Sequence, residues 1–244
     1  MPWTRPRLNR SKARSKSGSK AHRRYSPSPR SPWLRWPGSR RRVRAALLAA
    51  ARTAAGYGWP VLPGAYAVPG LLGPCSCEDP ACPAPGAHPH QPPLPAATTD
   101  ARMVGWWWAE RSPDASVLVA TGRTVSAVSL PADAGARALE YLEVLDVPVG
   151  PVLLAQDRYV LLVAPYTLAE LGELLAEQPW VPGVMRYHGP DGYLLLPPSR
   201  TAEGGVRWVR PPVGGRPWLP EVGGLLGALI AASSVAADGS RLAG

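Results

Sequence analysis

The sequence predicts an α/β (α+β) fold, a mixed β-sheet with flanking helices. Short runs rich in Val and Leu, bounded by Gly, Pro and Asp, recur between residues 59 and 209. Ala/Leu-rich segments with helical spacing are interleaved with them. Two of the runs, 151–155 and 159–164, are separated only by Gln156-Asp157-Arg158, which marks a hairpin. Helices intermixed with strands and hairpins call for a sheet that buries its Val/Leu faces against helices.

The elements follow in order. Residues 44–56 form an Ala/Leu helix that stops at Gly56-Tyr57-Gly58, and Trp59-Pro60-Val61-Leu62-Pro63 reads as a short strand. A Pro-rich irregular loop runs through Pro95. Thr98-Thr99-Asp100 offers an N-cap for a helix to about Arg111. Residues 117–120 and 125–130 are strands joined by a turn at Thr121-Gly122-Arg123. Residues 132–145 are a helix with Leu139, Leu142 and Leu145 on one face, and Asp133 is placed to cap it. After the hairpin, Thr167 caps a helix over 168–177. Strands are expected at 184–187, 193–196 and 206–209, and a last helix over 221–237.

Charge divides the chain in two. Residues 1–44 hold fifteen of the 27 Lys and Arg and none of the 17 Asp and Glu, so the remaining 200 residues carry a net charge of −5. Residues 1–42, rich in Arg, Ser and Pro, lack the apolar content to offset the entropy of ordering and are expected to be a disordered basic tail. A flexible cationic arm attracts phosphate without reading sequence, so DNA is its natural partner. A plain solvated tail, or an extension from an upstream start codon, accounts for it equally well. Residues 43–244 form the folded domain, long enough for one substantial core. No stretch approaches the roughly 18 apolar residues of a membrane span, and the tail lacks the apolar segment of a signal peptide. A cytoplasmic protein with no membrane partner is expected.

The three cysteines, Cys75, Cys77 and Cys82, fall within eight residues, with His88 and His90 close behind. The spacing C-x-C-x4-C-x5-H supplies three thiolates and an imidazole, the donor set of a tetrahedral Zn²⁺ site. An odd, tightly spaced set of thiols in a reducing compartment favours metal over disulfide. Four protein ligands close the shell and leave no place for a reacting water, so the metal is expected to be structural, a staple for the insertion over 75–95. His90 is the alternative fourth ligand.

Several stretches carry a resemblance to a known family. They are Ala54-Ala55-Gly56-Tyr57-Gly58-Trp59-Pro60-Val61-Leu62-Pro63, then Thr98-Thr99-Asp100 through Trp106-Trp107-Trp108. Residues 113–122 (PDASVLVATG) and Pro197-Pro198-Ser199 followed by Gly205 and Trp208 complete the set. In this order, from about Ala45 to Trp218, they resemble the N-terminal domain of bifunctional DNA primase/polymerases, the prim-pol branch of the archaeo-eukaryotic primase superfamily. The Cys/His loop is similar to a zinc-binding insertion of actinobacterial members. The resemblance implies nucleotide joining by two divalent metals, Mg²⁺ or Mn²⁺, held by carboxylates. It places two acids, one residue apart, at the end of the strand after the TG turn, where alternate residues share a face.

Those positions are Ser129 and Pro131 here, and neither is a hard anionic ligand. The resemblance also implies a histidine on the next hairpin, which here reads Gln156-Asp157-Arg158-Tyr159 with none. Asp157 and Arg158 read as turn residues, and His188 as a surface-turn histidine. Ser129 and Ser199 have no histidine placed beside them by any motif. Trp106, Trp107 and Trp108 point about 100° apart on a helix, so core packing explains them better than base stacking. The sequence therefore reads as a prim-pol-like domain without catalytic acids, a non-catalytic nucleic-acid- or nucleotide-associated protein. The alternatives are a zinc-stabilised protein-interaction module and an active primase/polymerase with relocated acids, which alone would need Mg²⁺ or Mn²⁺.

Overall fold

A computed structural model describes residues 37–68 and 75–234. The 1–36 part of the expected tail, residues 69–74 of the loop and the end of the last expected helix lie outside the described residues. Helix α1 runs Pro37–Gly56, beginning ahead of the expected start at 44 and taking Arg40, Arg41 and Arg42 into the helix. Pro at a first helical position is a standard start, because its missing N–H would be unsatisfied there anyway. Strand β1 (Val61–Gly64) follows, and α2 (Ala101–Trp106) is capped by Asp100, whose carboxylate accepts from the Met103 N–H at 2.7 Å. The helix widens to a π-turn over Trp107–Arg111.

Strands β2 (Ser116–Ala120) and β3 (Ser126–Pro131) lead into α3 (Ala132–Val144). The hairpin β4 (Val152–Ala155) and β5 (Arg158–Val163) turns through Gln156 and Asp157, both at positive φ, a two-residue turn whose twist suits the strands. Thr167 and Glu170 form a reciprocal capping box at the start of α4 (Leu168–Ala176). Strands β6 (Arg186–His188) and β7 (Tyr193–Leu196) come next. A small hairpin, β8 (Arg200–Thr201) with β9 (Gly204–Gly205), was not foreseen; β10 (Arg207–Arg210) and α5 (Val222–Ser233) complete the chain.

The α+β class is as the sequence predicts, but strand direction differs from the expected mixed sheet. Every strand pairing among the described residues is antiparallel. Five strands, in the order β10-β4-β5-β3-β6, form the central sheet, and β1-β2-β7 form a second. The central sheet is buried on both faces, which explains its near-continuous apolar runs. Ala127, Val160 and Leu162 face a core shared with α1, α2 and the three-stranded sheet. Val128, Leu130, Leu161 and Val163 face α3, α4 and α5.

Trp107 and Trp108 are buried in the first core, as expected, while Trp106 is 41 % exposed with the Arg111 guanidinium over its ring. Leu142 is buried but Leu145, past the end of α3, is exposed, so the expected three-leucine face shortens to Leu139 and Leu142. Ser129 and Pro131 lie on the Ala127 face of β3, at the end where the apolar core stops.

Candidate functional site

Two side-chain clusters stand out. The first is built on the end of β1. Gly64 bridges to Pro89, the Ala65 N–H donates to the His88 carbonyl, and Ala67 bridges to Cys75. These contacts bring the two ends of the loop side by side. Glu78 turns the chain at positive φ after Cys77, and Asp79 accepts from the Ala81 and Cys82 N–H groups, which returns Cys82 toward Cys75. The result places Cys75, Cys77, Cys82 and His88 with their donor atoms all within 4.8 Å of one another.

His88 Nε2 lies 3.4 Å from both Cys75 Sγ and Cys82 Sγ. A tetrahedron with bonds of ~2.0–2.3 Å sets donors about 3.5–3.8 Å apart, so the group can hold a metal ion such as zinc. The Nδ1 of His88 is 2.8 Å from the Pro89 carbonyl, the outer-shell contact that aims Nε2 at a metal. Burial pushes the Cys75 thiol up, but donation from the backbone N–H groups of Cys77 and Gly86, with the side-chain contacts to His88 and Cys77, outweighs it and brings it to about 7. His90 is exposed and outside the group; it lines a cleft of about 340 Å³ with Tyr66, Ser76, Gln91 and Arg111.

The loop is tied to the domain as well as to itself. The Ser116 hydroxyl donates to the Gly86 carbonyl, and the Ala202 N–H donates to that of Pro85. Gly86 is at φ +80, and a side chain there would meet backbone of Ala67 and Arg200 at 2.8 Å. The small hairpin β8–β9 is thus the far wall of the Cys/His loop.

The second cluster surrounds Ser129. In the β3–β6 register Ser129 is opposite Arg186 and Ala127 is opposite His188; in the β3–β5 register Pro131 is opposite Arg158. Directly paired residues share a face, so Ser129, Pro131, Arg158, Arg186 and His188 project from one side of the sheet. Ser129 Oγ is 3.0 Å from His188 Nε2 and accepts from Arg158 Nε at 3.2 Å. Arg158 Nη2 also donates to the carbonyls of Ser129 (2.8 Å) and Val184 (2.7 Å). Burial drives His188 down to about 4, with the positive Arg158 and Arg186 adding to it, so the imidazole is neutral at pH 7.

His188 is therefore half-buried and bonded to Ser129, where a surface turn was expected. Ser129 does have a histidine partner, supplied across strands where no local motif announces it. The serine is buried, at 1 % exposed, so the pair presents no nucleophile to solvent. Arg158 leaves its turn and reaches across β3, whereas Asp157 stays in the turn as expected. Pro131 precedes α3 and offers no donor atom. Asp133 sits in the first turn of α3 but makes no capping bond and pairs with Arg137 at 3.3 Å instead. Ser199 Oγ accepts the buried Val117 N–H at 2.8 Å, a structural role for the Pro-Pro-Ser segment. The Thr121-Gly122-Arg123 turn packs on the 189–192 loop through Thr121, which donates to the Gly189 carbonyl.

Among the described residues, the Cys/His group is the one set of three or more His, Cys, Asp or Glu side chains arranged to hold a metal ion. No helix among them is long and apolar enough to cross a membrane. A family model described as bifunctional DNA primase/polymerase, N-terminal, matches residues 50–221, more than two thirds of the chain. No curated protein and no solved structure matches.

Proposed function

The chain belongs to the bifunctional DNA primase/polymerase N-terminal family, and from that premise we propose that it is a non-catalytic member acting on nucleic acid or nucleotides by binding. The observation that carries this reading is the occupancy of the two positions where the resemblance places catalytic acids. Ser129 is engaged by His188 and Arg158, and Pro131 has no side-chain donor. A hydroxyl between a guanidinium and an imidazole cannot hold Mg²⁺ or Mn²⁺, which take anionic oxygen ligands.

Zinc, held by Cys75, Cys77, Cys82 and His88, is structural in this reading, and its reduced thiols suit the cytoplasm. DNA is the partner of the basic residues 1–42, with Arg41 and Arg42 extending that charge onto the first turns of α1. Template-directed primer synthesis with Mg²⁺ or Mn²⁺ tests the proposal. The purified chain should give no extension product, and robust metal-dependent extension overturns the reading. Salt-dependent DNA binding should weaken on deleting residues 1–36, a cut that leaves α1 intact.

A further inference from the structure

The side chains around Ser129 carry positive charge that no carboxylate offsets. Arg158 has five N–H bonds. Three are used, by Ser129 Oγ and the carbonyls of Ser129 and Val184, which fix the guanidinium plane. Its Nη1 edge has no partner among the described residues. Arg186, opposite Ser129 on the edge strand β6, is exposed, and its side chain makes no hydrogen bond or ion pair among them. The charge acting on Arg158 is that of Arg186, and the charges acting on His188 are those of Arg158 and Arg186. Of the acids nearest in sequence, Asp133 pairs with Arg137, and neither Asp157 nor Asp191 forms an ion pair with Arg158 or Arg186 among the described residues.

A half-buried guanidinium held in place beside a second one, with no anion, is costly to maintain. The arrangement repels divalent cations and suits a tetrahedral oxyanion. The Arg186 guanidinium can offer a paired N–H edge to phosphate oxygens, and Arg158 adds the two N–H bonds of Nη1.

We propose that Arg158 and Arg186, organised around Ser129 and its partner His188, form a metal-independent phosphate-binding site on the face of the central sheet. The proposal rests on the non-catalytic reading above, because the site occupies the place where catalytic metals would sit. Its ligand is a phosphate group, carried either by a nucleoside triphosphate or by a nucleic-acid strand. Arg158 is the fixed anchor, and Arg186, free and at the sheet edge, closes on the anion.

The test is calorimetric titration of the zinc-loaded full chain in buffer freed of Mg²⁺ by resin, since a chelator would strip the Cys/His group. The probes are pyrophosphate, dGTP and a single-stranded oligonucleotide without a terminal phosphate. Arg186→Gln, which removes no internal bond, should weaken binding by about tenfold or more, the loss typical of a charge-assisted pair. Arg207→Gln, on the edge strand β10 at the other side of the sheet, removes the same net charge and should change binding by less than about twofold, since exposed charges separated by more than a Debye length are largely screened.

Binding of pyrophosphate and dGTP with this pattern assigns the site to a polyphosphate, and binding of the oligonucleotide alone with this pattern assigns it to a strand phosphodiester. Either supports the proposal. No binding without Mg²⁺, or equal binding by the Arg186→Gln variant, overturns it. Primer extension by the wild type would sink the non-catalytic reading while leaving the anion site standing. Absent extension together with unaffected binding would do the reverse.

Discussion

Arg44 grips Asp114 across 70 residues through two hydrogen bonds, Nε to Oδ1 at 2.8 Å and Nη2 to Oδ2 at 2.6 Å. Arg40, one turn earlier on α1, adds a third at 2.7 Å. The pair pins the N-terminal half of α1 to the loop that feeds β2, so the helix start is set by tertiary contact as well as by Pro37.

That clamp gives the first prediction. The Arg44 guanidinium, with Arg40 behind it, holds the Asp114 carboxyl down at about 2, below its ordinary 3.8. A depressed carboxyl contributes stability that is present above the unfolded value and is lost as pH falls from about 4 toward 2. Both arginines are partly solvated, so the contribution at neutral pH is discounted to about 1–2 kcal/mol. Asp114→Asn should lower urea stability by that amount at pH 7, and the gap to wild type should close by pH 2. A gap that persists at pH 2 would show that packing, not charge, links the two elements.

The Cys/His group makes the second. Cys77→Ser and His88→Ala should each lose the metal, measured by mass spectrometry under native conditions, whereas His90→Ala should keep it. Lost metal should lower Tm by about 5–10 °C, because site formation and loop folding are one event. Metal retained by His88→Ala but lost by His90→Ala would exchange the two histidines' roles.

Two glycines in helices offer opposite outcomes from one substitution. A Cβ on Gly135 would lie 2.4 Å from the Tyr159 Cβ, so α3 approaches β5 only because that position is bare. Gly135→Ala should cost about 1–3 kcal/mol in thermal or urea unfolding, as overpacked cores do. Gly172, exposed in α4, would meet nothing within 4 Å. Gly172→Ala should stabilise by about 0.5–1 kcal/mol through helix propensity alone. Equal effects at both sites would contradict this packing of α3 on the sheet.

Features encoded within a few residues were legible in the sequence. Asp100 and Thr167 cap their helices, β7 covers 193–196, and the hairpin turns at Gln156-Asp157, because caps and turns are decided by local hydrogen bonding and φ. The Cys/His group was legible for the same reason: its four donors lie within fourteen residues. What was not legible depends on strand register. Nothing near Ser129 announces that His188, 59 residues on, will be its partner, or that Arg158 will reach it from the neighbouring strand. The antiparallel order β5-β3-β6 makes both contacts, and single-sequence patterns do not encode which strands pair. One signal was available: Arg186 and His188 alternate on a short strand, as residues that share a face must.

The buried state of His188 supplies the last prediction. Its pKa of about 4 lies below the ordinary 6.5, so the unfolded chain takes up the proton first as pH falls. Stability contributed by the neutral ring is therefore full above pH 6.5 and declines between 6.5 and 4, by about 1–3 kcal/mol once partial solvation is allowed for. Metal release from the Cys/His group acts in the same range, so the measurement is the difference between wild type and His188→Gln, which share that group. The variant keeps a side chain able to bond Ser129 but cannot titrate, and its stability should fall less steeply from pH 6.5 to 4. Ser129→Ala supplies the complement: it strands Arg158 Nε and His188 Nε2 at once and should cost about 1–3 kcal/mol at pH 7. Identical pH profiles for wild type and His188→Gln would mean that the folded protein protonates the ring as readily below pH 6.5 as the unfolded chain does. The hydroxyl of Ser129 would then accept from both neighbours, and the arginines would face a third cation.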